Sequence, residues 1–66
     1  MPMLHVVYVP KLRKFKADTV RQSNIFTQCF GSTYVSRETF YAKYDSALEL
    51  LSNYGYGILV EDPESP

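Results

Sequence analysis

Apolar and polar positions separate most clearly over residues 40–60, which predict the end of a strand, one short helix, a glycine turn and a second strand. On a helical wheel of about 100° per residue, the polar residues of this helix lie opposite an apolar arc of about 160°. The arc contains Tyr44, Ala47, Leu48, Leu50, Leu51 and Tyr54. We therefore expect a helix that starts at an N-cap Asp45, ends at Gly55 and packs this arc, tyrosines included, into the core.

Two apolar runs predict strands near the two ends of the chain. Residues 4–9 are rich in valine and stop at Pro10, which cannot donate to a strand ladder. Both faces of this run are apolar, so we expect it to lie centrally in a sheet, with His5 as a packed or edge-facing residue. Residues 56–60 predict the last strand, and the segment 42–57 is long enough for a right-handed crossover between parallel strands.

The middle of the chain predicts a β-hairpin. Residues 24–30 and 33–42 are rich in β-branched and aromatic side chains, and both favour strands. They flank Gly31-Ser32, and glycine at the first central position suits a type II′ turn. The hairpin therefore supplies two antiparallel strands before the helix.

Two segments have alternative interpretations. Residues 37–53 also fit one long helix with Ser36 as its N-cap, although the strand propensity of residues 39–41 favours the hairpin and the shorter helix. Residues 11–22 show no clean period, and we assign them mostly to loop, with a loose helical face or a short strand over residues 15–20 as the alternatives.

These elements together predict the fold class. We expect an α+β domain over residues 1–61, with a mainly antiparallel sheet of three or four strands in the order β-β-β-α-β and one helix packed on one face. A chain of 66 residues has room for one domain. Residues 62–66 have the composition of a disordered acidic tail.

The formal net charge is zero, but the charges are unevenly placed. Residues 1–22 carry five cations and one anion, whereas residues 23–66 carry two cations and six anions. A basic stretch interleaved with Leu12 and Phe15 is similar to surfaces that bind phosphate backbones or acidic proteins. Asp62 and Glu64 on a mobile tail could fold back onto this stretch and compete with phosphate, which argues against a nucleic-acid partner. The candidate binding residues are Lys11, Arg13, Lys14 and Lys16 of the basic stretch, with Tyr34 and Tyr56, because tyrosine is enriched at interfaces.

The sequence contains no pattern that predicts catalysis or metal binding. Cys29 is the only cysteine and His5 the only histidine, so an internal disulfide is impossible and a Cys/His zinc site lacks ligands. We expect Cys29 to pack as a small apolar residue. We therefore predict a non-enzymatic protein with no catalytic residues, metal or cofactor. The unpaired cysteine and the absence of a long apolar run predict a cytoplasmic protein without a membrane role.

The segment Tyr41-Ala42-Lys43-Tyr44-Asp45-Ser46-Ala47-Leu48-Glu49-Leu50, followed by Gly55-Tyr56, resembles the small podophage-encoded inhibitor of bacterial RNA polymerase. That family has a similar length and runs hairpin, helix, strand. It places arginines on the strand after the helix, where this chain has Glu61-Asp62. A fainter resemblance is to the small linker domain of phycobilisomes, without that family's Val-Pro-Tyr at Thr39-Phe40-Tyr41. Both resemblances imply a non-enzymatic module that docks on a larger assembly.

We accordingly predict a protein-binding module, a small phage-type inhibitor or regulator that occludes a site on a larger protein assembly. One alternative is a nucleic-acid-binding protein that uses the basic stretch, with Phe15 or a tyrosine stacking on bases. Another is a structural linker or assembly subunit.

Overall fold

A computed structural model describes residues 1–64 of the chain. The fold is α+β, as predicted, with one four-stranded sheet and helices packed on it. In chain order the elements are β1 (Met3–Val9), β2 (Lys14–Ala17), α1 (Val20–Phe30), β3 (Val35–Ser36), α2 (Arg37–Ala42), α3 (Tyr44–Ser52) and β4 (Gly57–Glu61).

The strand order in the sheet is β3-β2-β1-β4, so β1 is central, as its two apolar faces predicted. β2 pairs antiparallel with both β1 and β3, whereas β4 pairs parallel with β1. The sheet is therefore mixed, although antiparallel pairings outnumber the parallel one. The predicted crossover over residues 42–57 is wrong as a link between two parallel strands, because residues 37–42 form helix α2 and the parallel neighbour of β4 is β1.

The core lies between the helices and one face of the sheet. Strand alternation directs Leu4 and Val6 of β1, together with Phe15 of β2, toward the helices. Phe40 of α2 stacks on Phe15 at a centroid distance of 4.5 Å and on Phe30 of α1 at 4.8 Å. The buried set is Leu4, Val6, Phe15, Ala17, Phe26, Phe30, Val35, Phe40, Ala47 and Leu51.

The predicted hairpin around Gly31-Ser32 is wrong, because residues 20–30 form helix α1. The Thr19 side chain caps this helix by accepting a hydrogen bond from the Gln22 N–H. Phe26 and Phe30, four residues apart on one helical face, are both buried. Gly31 has φ 85°, but it serves as the left-handed C-cap of α1, and its N–H donates to the Thr27 carbonyl.

Residues 37–53 are mostly helical, so the predicted strand over residues 39–41 is also wrong. The rejected long-helix interpretation is nearer to the structure, since Ser36 caps α2 by accepting from the Thr39 N–H. The helix is interrupted at Lys43, which is the N-cap of α3, so Asp45 lies in the first turn of α3 and not at its N-cap.

The apolar arc of α3 is only partly buried. Ala47 and Leu51 belong to the core and Tyr44 packs against it, as predicted. Leu48 is half-buried, Leu50 is exposed, and Tyr54 is 76% exposed, so the expected burial of Tyr54 is wrong. Fewer residues of α3 are therefore buried in the core than the helical wheel predicted.

Residues 11–22 contain more regular secondary structure than predicted, since we assigned them mostly to loop. They include strand β2 and the first turn of α1, joined to β1 by a short hairpin loop over residues 10–13. The Arg13 N–H donates to the Val9 carbonyl at 2.8 Å and closes this loop, with Arg13 itself at φ 56°. β2 thus begins where the basic stretch is densest.

One side-chain amide completes the hydrogen bonding of β1 beyond the end of β2. The Gln22 Oε1 accepts from the His5 N–H at 3.0 Å, and the Gln22 Nε2 donates to the Met3 carbonyl at 2.7 Å. This bidentate contact satisfies backbone groups of β1 that have no strand opposite them. It also fixes the start of α1 against the sheet.

Substitution of Gly31 by alanine tests the C-cap. Alanine must adopt the left-handed conformation of Gly31, which costs about 1–2 kcal/mol, although its Cβ would meet only Lys43 Nζ at 3.5 Å. We expect urea denaturation to show a loss of this size in the free energy of unfolding. Gly31→Asn serves as the control, because asparagine tolerates this conformation better. Equal stability of Gly31→Ala and the wild type would contradict the role of Gly31.

Candidate binding surface

None of the three helices covers the second face of the sheet. The buried residues of all three helices belong to one cluster, which contains Leu4 and Val6 of β1. The alternate side chains of β1 therefore point away from the helices, and Leu59 of β4, paired with His5, is 48% exposed. We call this surface the open face and define it by Met3, His5, Val7 and Val9 of β1, Lys14 and Lys16 of β2, and Leu59 and Glu61 of β4.

The four predicted basic residues lie together at one side of this surface. Lys11 and Arg13 occupy the exposed hairpin loop, while Lys14 and Lys16 stand on β2 opposite Val9 and Val7. Among residues 1–64, these four cations form no ion pair with a carboxylate of the chain. Their charge is therefore available to a partner.

The aromatic residue of the basic stretch is not available for stacking. Phe15 alternates with Lys14 and Lys16 along β2, so its side chain points into the core and is fully buried. Its edge meets the Tyr8 ring at a centroid distance of 5.1 Å. The proposal that Phe15 stacks on a base is thus contradicted by the structure.

The two predicted tyrosines lie in different places. Tyr34 is exposed in the loop before β3 and lines a shallow pocket of about 150 Å³ with Lys16 and Val20. It therefore extends the surface of the basic residues. Tyr56 is half-buried against the core on the helix side, so it does not belong to the same surface.

Tyr56 instead lines a groove between α1 and α3, with a volume of about 340 Å³. Its other lining residues include Ile25, Cys29, Leu50 and Tyr54. Burial raises the pKa of the Cys29 thiol above its usual value, which keeps the thiol protonated. Cys29 lies among the helices and the His5 side chain on the open face, so the structure does not bring these two residues together.

His5 joins two carboxylates across the open face. Its Nδ1 lies 3.3 Å from Asp18 Oδ2, and its Nε2 lies 3.4 Å from Glu61 Oε1. The Nε2 atom is buried and has no hydrogen-bond partner in the described chain. Asp18 and Glu61 thus lie beside His5, and neither forms an ion pair with Lys14 or Lys16 in the described chain.

Asp62 and Glu64, which we assigned to the acidic tail, bind Arg37 and not the basic stretch. Arg37 donates from Nε to Asp62 Oδ2 at 3.0 Å and from Nη2 to Asp62 Oδ1 at 2.7 Å. Arg37 Nη1 lies 2.9 Å from Glu64 Oε2. The remainder of the predicted tail, residues 65–66, lies outside the described part of the chain.

The Arg37–Asp62 pair is held from several sides. The Tyr41 hydroxyl donates to Asp62 Oδ2 at 3.0 Å, and the Arg37 guanidinium lies 4.1 Å above the centre of the Tyr8 ring. The Asp62 side chain is only 2% exposed. Hydrogen bonding to Arg37, partly opposed by burial, lowers the pKa of Asp62 from 3.8 to about 2, so Asp62 is charged at neutral pH.

The apolar part of the open face escaped the sequence analysis. Val7 and Val9 belong to the run at residues 4–9, whose two apolar faces predicted burial, whereas Leu59 was assigned only to the last strand. Parallel strands usually have this appearance because helices cover both sides of them. Here the alternation of charged and apolar residues on β2, with Lys14 and Lys16 flanking Phe15, was the signal that one face lacks a helix layer.

Other kinds of site receive no support from the described residues. No group of three or more His, Cys, Asp or Glu side chains among residues 1–64 is arranged to hold a metal ion. No helix in the same range is long and apolar enough to cross a bilayer. Comparison with protein-family models, with curated proteins and with solved structures finds no match for this chain.

Proposed function

We propose that the protein is a non-enzymatic binding module whose open face and basic stretch dock on an acidic surface of a larger protein. The observation that carries this proposal is a sheet face without a helix layer, on which apolar side chains lie beside cations that have no ion pair among residues 1–64. Regulation or inhibition by occlusion, which the resemblance over residues 41–50 implies, is the activity we assign to such docking.

The composition of the open face suits a protein partner. Val7, Val9 and Leu59 form its apolar part, and Lys14 and Lys16 flank them. Protein interfaces commonly combine a desolvated apolar centre with a charged rim. Cations at the rim act mainly on the rate of association, because they steer an acidic partner toward the surface.

The contacts of the acidic residues support the same proposal. Asp62 and Glu64 bind Arg37, while Asp18 and Glu61 lie beside His5. The basic stretch consequently keeps its charge although the net charge of the chain is zero. An acidic partner therefore meets four cations that form no ion pair with the carboxylates of residues 1–64.

A charge-reversal variant tests this role of the lysines. We expect Lys14→Glu/Lys16→Glu to slow association with the partner by about 10-fold or more, because it replaces attraction by repulsion. Arg21→Glu is the control, since Arg21 is exposed on α1 and outside the open face. Association measured by surface plasmon resonance at two salt concentrations should show a smaller salt dependence for the double variant. Equal association rates for wild type and double variant would refute the role.

The partner itself can be identified by site-specific photo-cross-linking. A benzophenone amino acid in place of Val9, on the open face, should cross-link one acidic protein in cell lysate. The same group in place of Tyr54, which is 76% exposed and lies on the helix side of the sheet, is the matched control. Identical cross-linked products at the two positions would show that the open face is not the docking surface.

The unpaired cations also support a second candidate, the binding of nucleic acid. Four phosphate contacts would give a log-log salt slope of about −3 to −4. Fluorescence anisotropy with single- and double-stranded oligonucleotides, beside a variant in which Lys11, Arg13, Lys14 and Lys16 are alanine, tests this candidate. The burial of Phe15 removes one stacking group, so we favour the protein partner. Tight, salt-sensitive oligonucleotide binding that the variant loses would reverse this preference.

A further inference from the structure

Strand β4 forms one edge of the sheet, and its outer side has no strand partner among residues 1–64. The Gly57 N–H donates to the Pro2 carbonyl at 3.1 Å, so the backbone groups of Gly57 point toward β1. Backbone groups alternate in direction along a strand, and those of Leu59 and Glu61 therefore point the same way. The N–H and C=O groups of Ile58 and Val60 point outward, away from the sheet.

This edge lacks the devices that usually prevent strand addition. Such devices include proline, lysine, a β-bulge or a very short strand. Residues 57–61 contain no proline and no lysine, and their register with β1 is continuous over all five residues. The opposite edge is different, because β3 has only two residues and leads directly into α2. Only β4 is long enough to accept another strand.

We propose that β4 pairs antiparallel with β4 of a second copy of this chain, around a two-fold axis at Leu59. In this register Ile58 exchanges both of its outward backbone hydrogen bonds with Val60 of the second copy. Leu59 lies directly opposite its own counterpart, and Gly57 lies opposite Glu61 of the second copy. The two four-stranded sheets become one continuous sheet.

Three features of β4 favour pairing with a second copy of β4 rather than with an unrelated strand. The only charged side chain, Glu61, meets Gly57, so no like charges lie opposite each other. The exposed Leu59 side chain packs on its counterpart in a non-hydrogen-bonded pair, where Cα atoms approach to about 4.5 Å. The side chains of Ile58 and Val60 already pack against the core, so they need not rearrange.

The dimer does not depend on the docking function proposed above. It would place two open faces side by side on one surface, with Val7 and Val9 of each copy on the same side of the sheet. Reversal of the lysines should slow docking and leave the dimer intact. Leu59 belongs to the open face as well as to the dimer axis, so the dimer is tested by disulfide trapping and sedimentation and not by docking. The two proposals can therefore be tested separately.

Disulfide trapping tests the register. Leu59→Cys in a Cys29→Ser background places two thiols opposite each other at the axis, within the Cα separation of about 4.4–6.8 Å that disulfides require. Leu12→Cys in the same background is the matched control, because Leu12 and Leu59 are both 48% exposed. We expect Leu59→Cys to form a covalent dimer at least about 10-fold faster in dilute protein under mild oxidation. Equal rates for the two variants would overturn the proposal.

Sedimentation equilibrium tests the dimer without a cross-link. We expect the wild type to show a concentration-dependent monomer–dimer equilibrium, and Leu59→Lys to be monomeric because two like charges then lie opposite each other at the axis. Leu12→Lys carries the same added charge and should behave as the wild type. A wild type that stays monomeric up to about millimolar concentration, or a Leu59→Lys variant that dimerises as the wild type does, would overturn the proposal. Circular dichroism verifies that both lysine variants are folded.

Discussion

Replacement of Phe40 by alanine is expected to unfold a large fraction of the protein. Phe40 is fully buried and stacks on Phe15 of β2 and Phe30 of α1, so it joins α2 to the sheet and to the first helix. Truncation of a buried phenylalanine costs about 3–5 kcal/mol. A chain of this length has a total stability of about 3–10 kcal/mol, so the loss takes much or all of it.

Urea denaturation followed by far-UV circular dichroism measures this effect. Phe40→Leu keeps most of the apolar volume and should lose considerably less stability than Phe40→Ala. Tyr54→Ala is the control for the removal of an exposed ring, and it should change the free energy of unfolding by about 0.5 kcal/mol or less. A loss below about 1 kcal/mol for Phe40→Ala would show that the aromatic cluster is not the centre of the core.

Asp62→Asn is expected to remove a pH-dependent part of the stability. Folding lowers the pKa of Asp62 from 3.8 to about 2, chiefly through its hydrogen bonds with Arg37. A group whose pKa is lower in the folded state stabilises the protein above its unfolded pKa and loses this contribution as the pH falls through the folded pKa. The wild type should thus be more stable than Asp62→Asn at neutral pH, and the difference should shrink between about pH 4 and pH 2.

Urea denaturation of both proteins at several pH values gives this difference directly. The exposed Glu49 supplies the control, since Glu49→Gln also removes one carboxylate but breaks no contact with Arg37. Arg37→Lys tests the geometry, because lysine keeps the charge but cannot make the bidentate contact or stack on Tyr8 in the same way. A difference between wild type and Asp62→Asn that stays constant from neutral pH to about pH 2 would contradict the role of the pair.

The local sequence predicted the correct secondary structure where the hydrophobic pattern and the conformational propensity of the residues agree. The valine-rich run before Pro10 is β1, and the apolar run at residues 57–61 is β4. Ala47 and Leu51 of α3 are buried as their spacing predicted. Lys11 and Arg13 lie in an exposed hairpin loop, as the mostly-loop assignment predicted, whereas Lys14 and Lys16 stand on β2.

The local sequence predicted the wrong secondary structure where the same residue is compatible with two kinds of turn. Gly31 at positive φ fits either a type II′ turn or a helix C-cap. The β-rich composition before it favoured the turn, whereas Phe26 and Phe30 are spaced for one helical face. Phe26 and Phe30 share one face in either element, so their spacing alone does not decide between strand and helix. In the helix the two rings lie 4.7 Å apart and are both buried, whereas on a strand their Cα atoms would be about 13 Å apart.

Some features of the binding surface follow from the sequence, and others depend on the tertiary structure. The sequence by itself determined that the chain is α+β and that β1 is central. It also determined that four cations lie within residues 11–16, directly after β1. Only the tertiary structure decided that all three helices pack on one face, because this requires knowing which side of β1 and β2 buries Phe26, Phe30 and Phe40. The tertiary structure likewise decided that Asp62 binds Arg37, since the two residues are 25 positions apart and meet only after β4 and α2 have packed on the sheet.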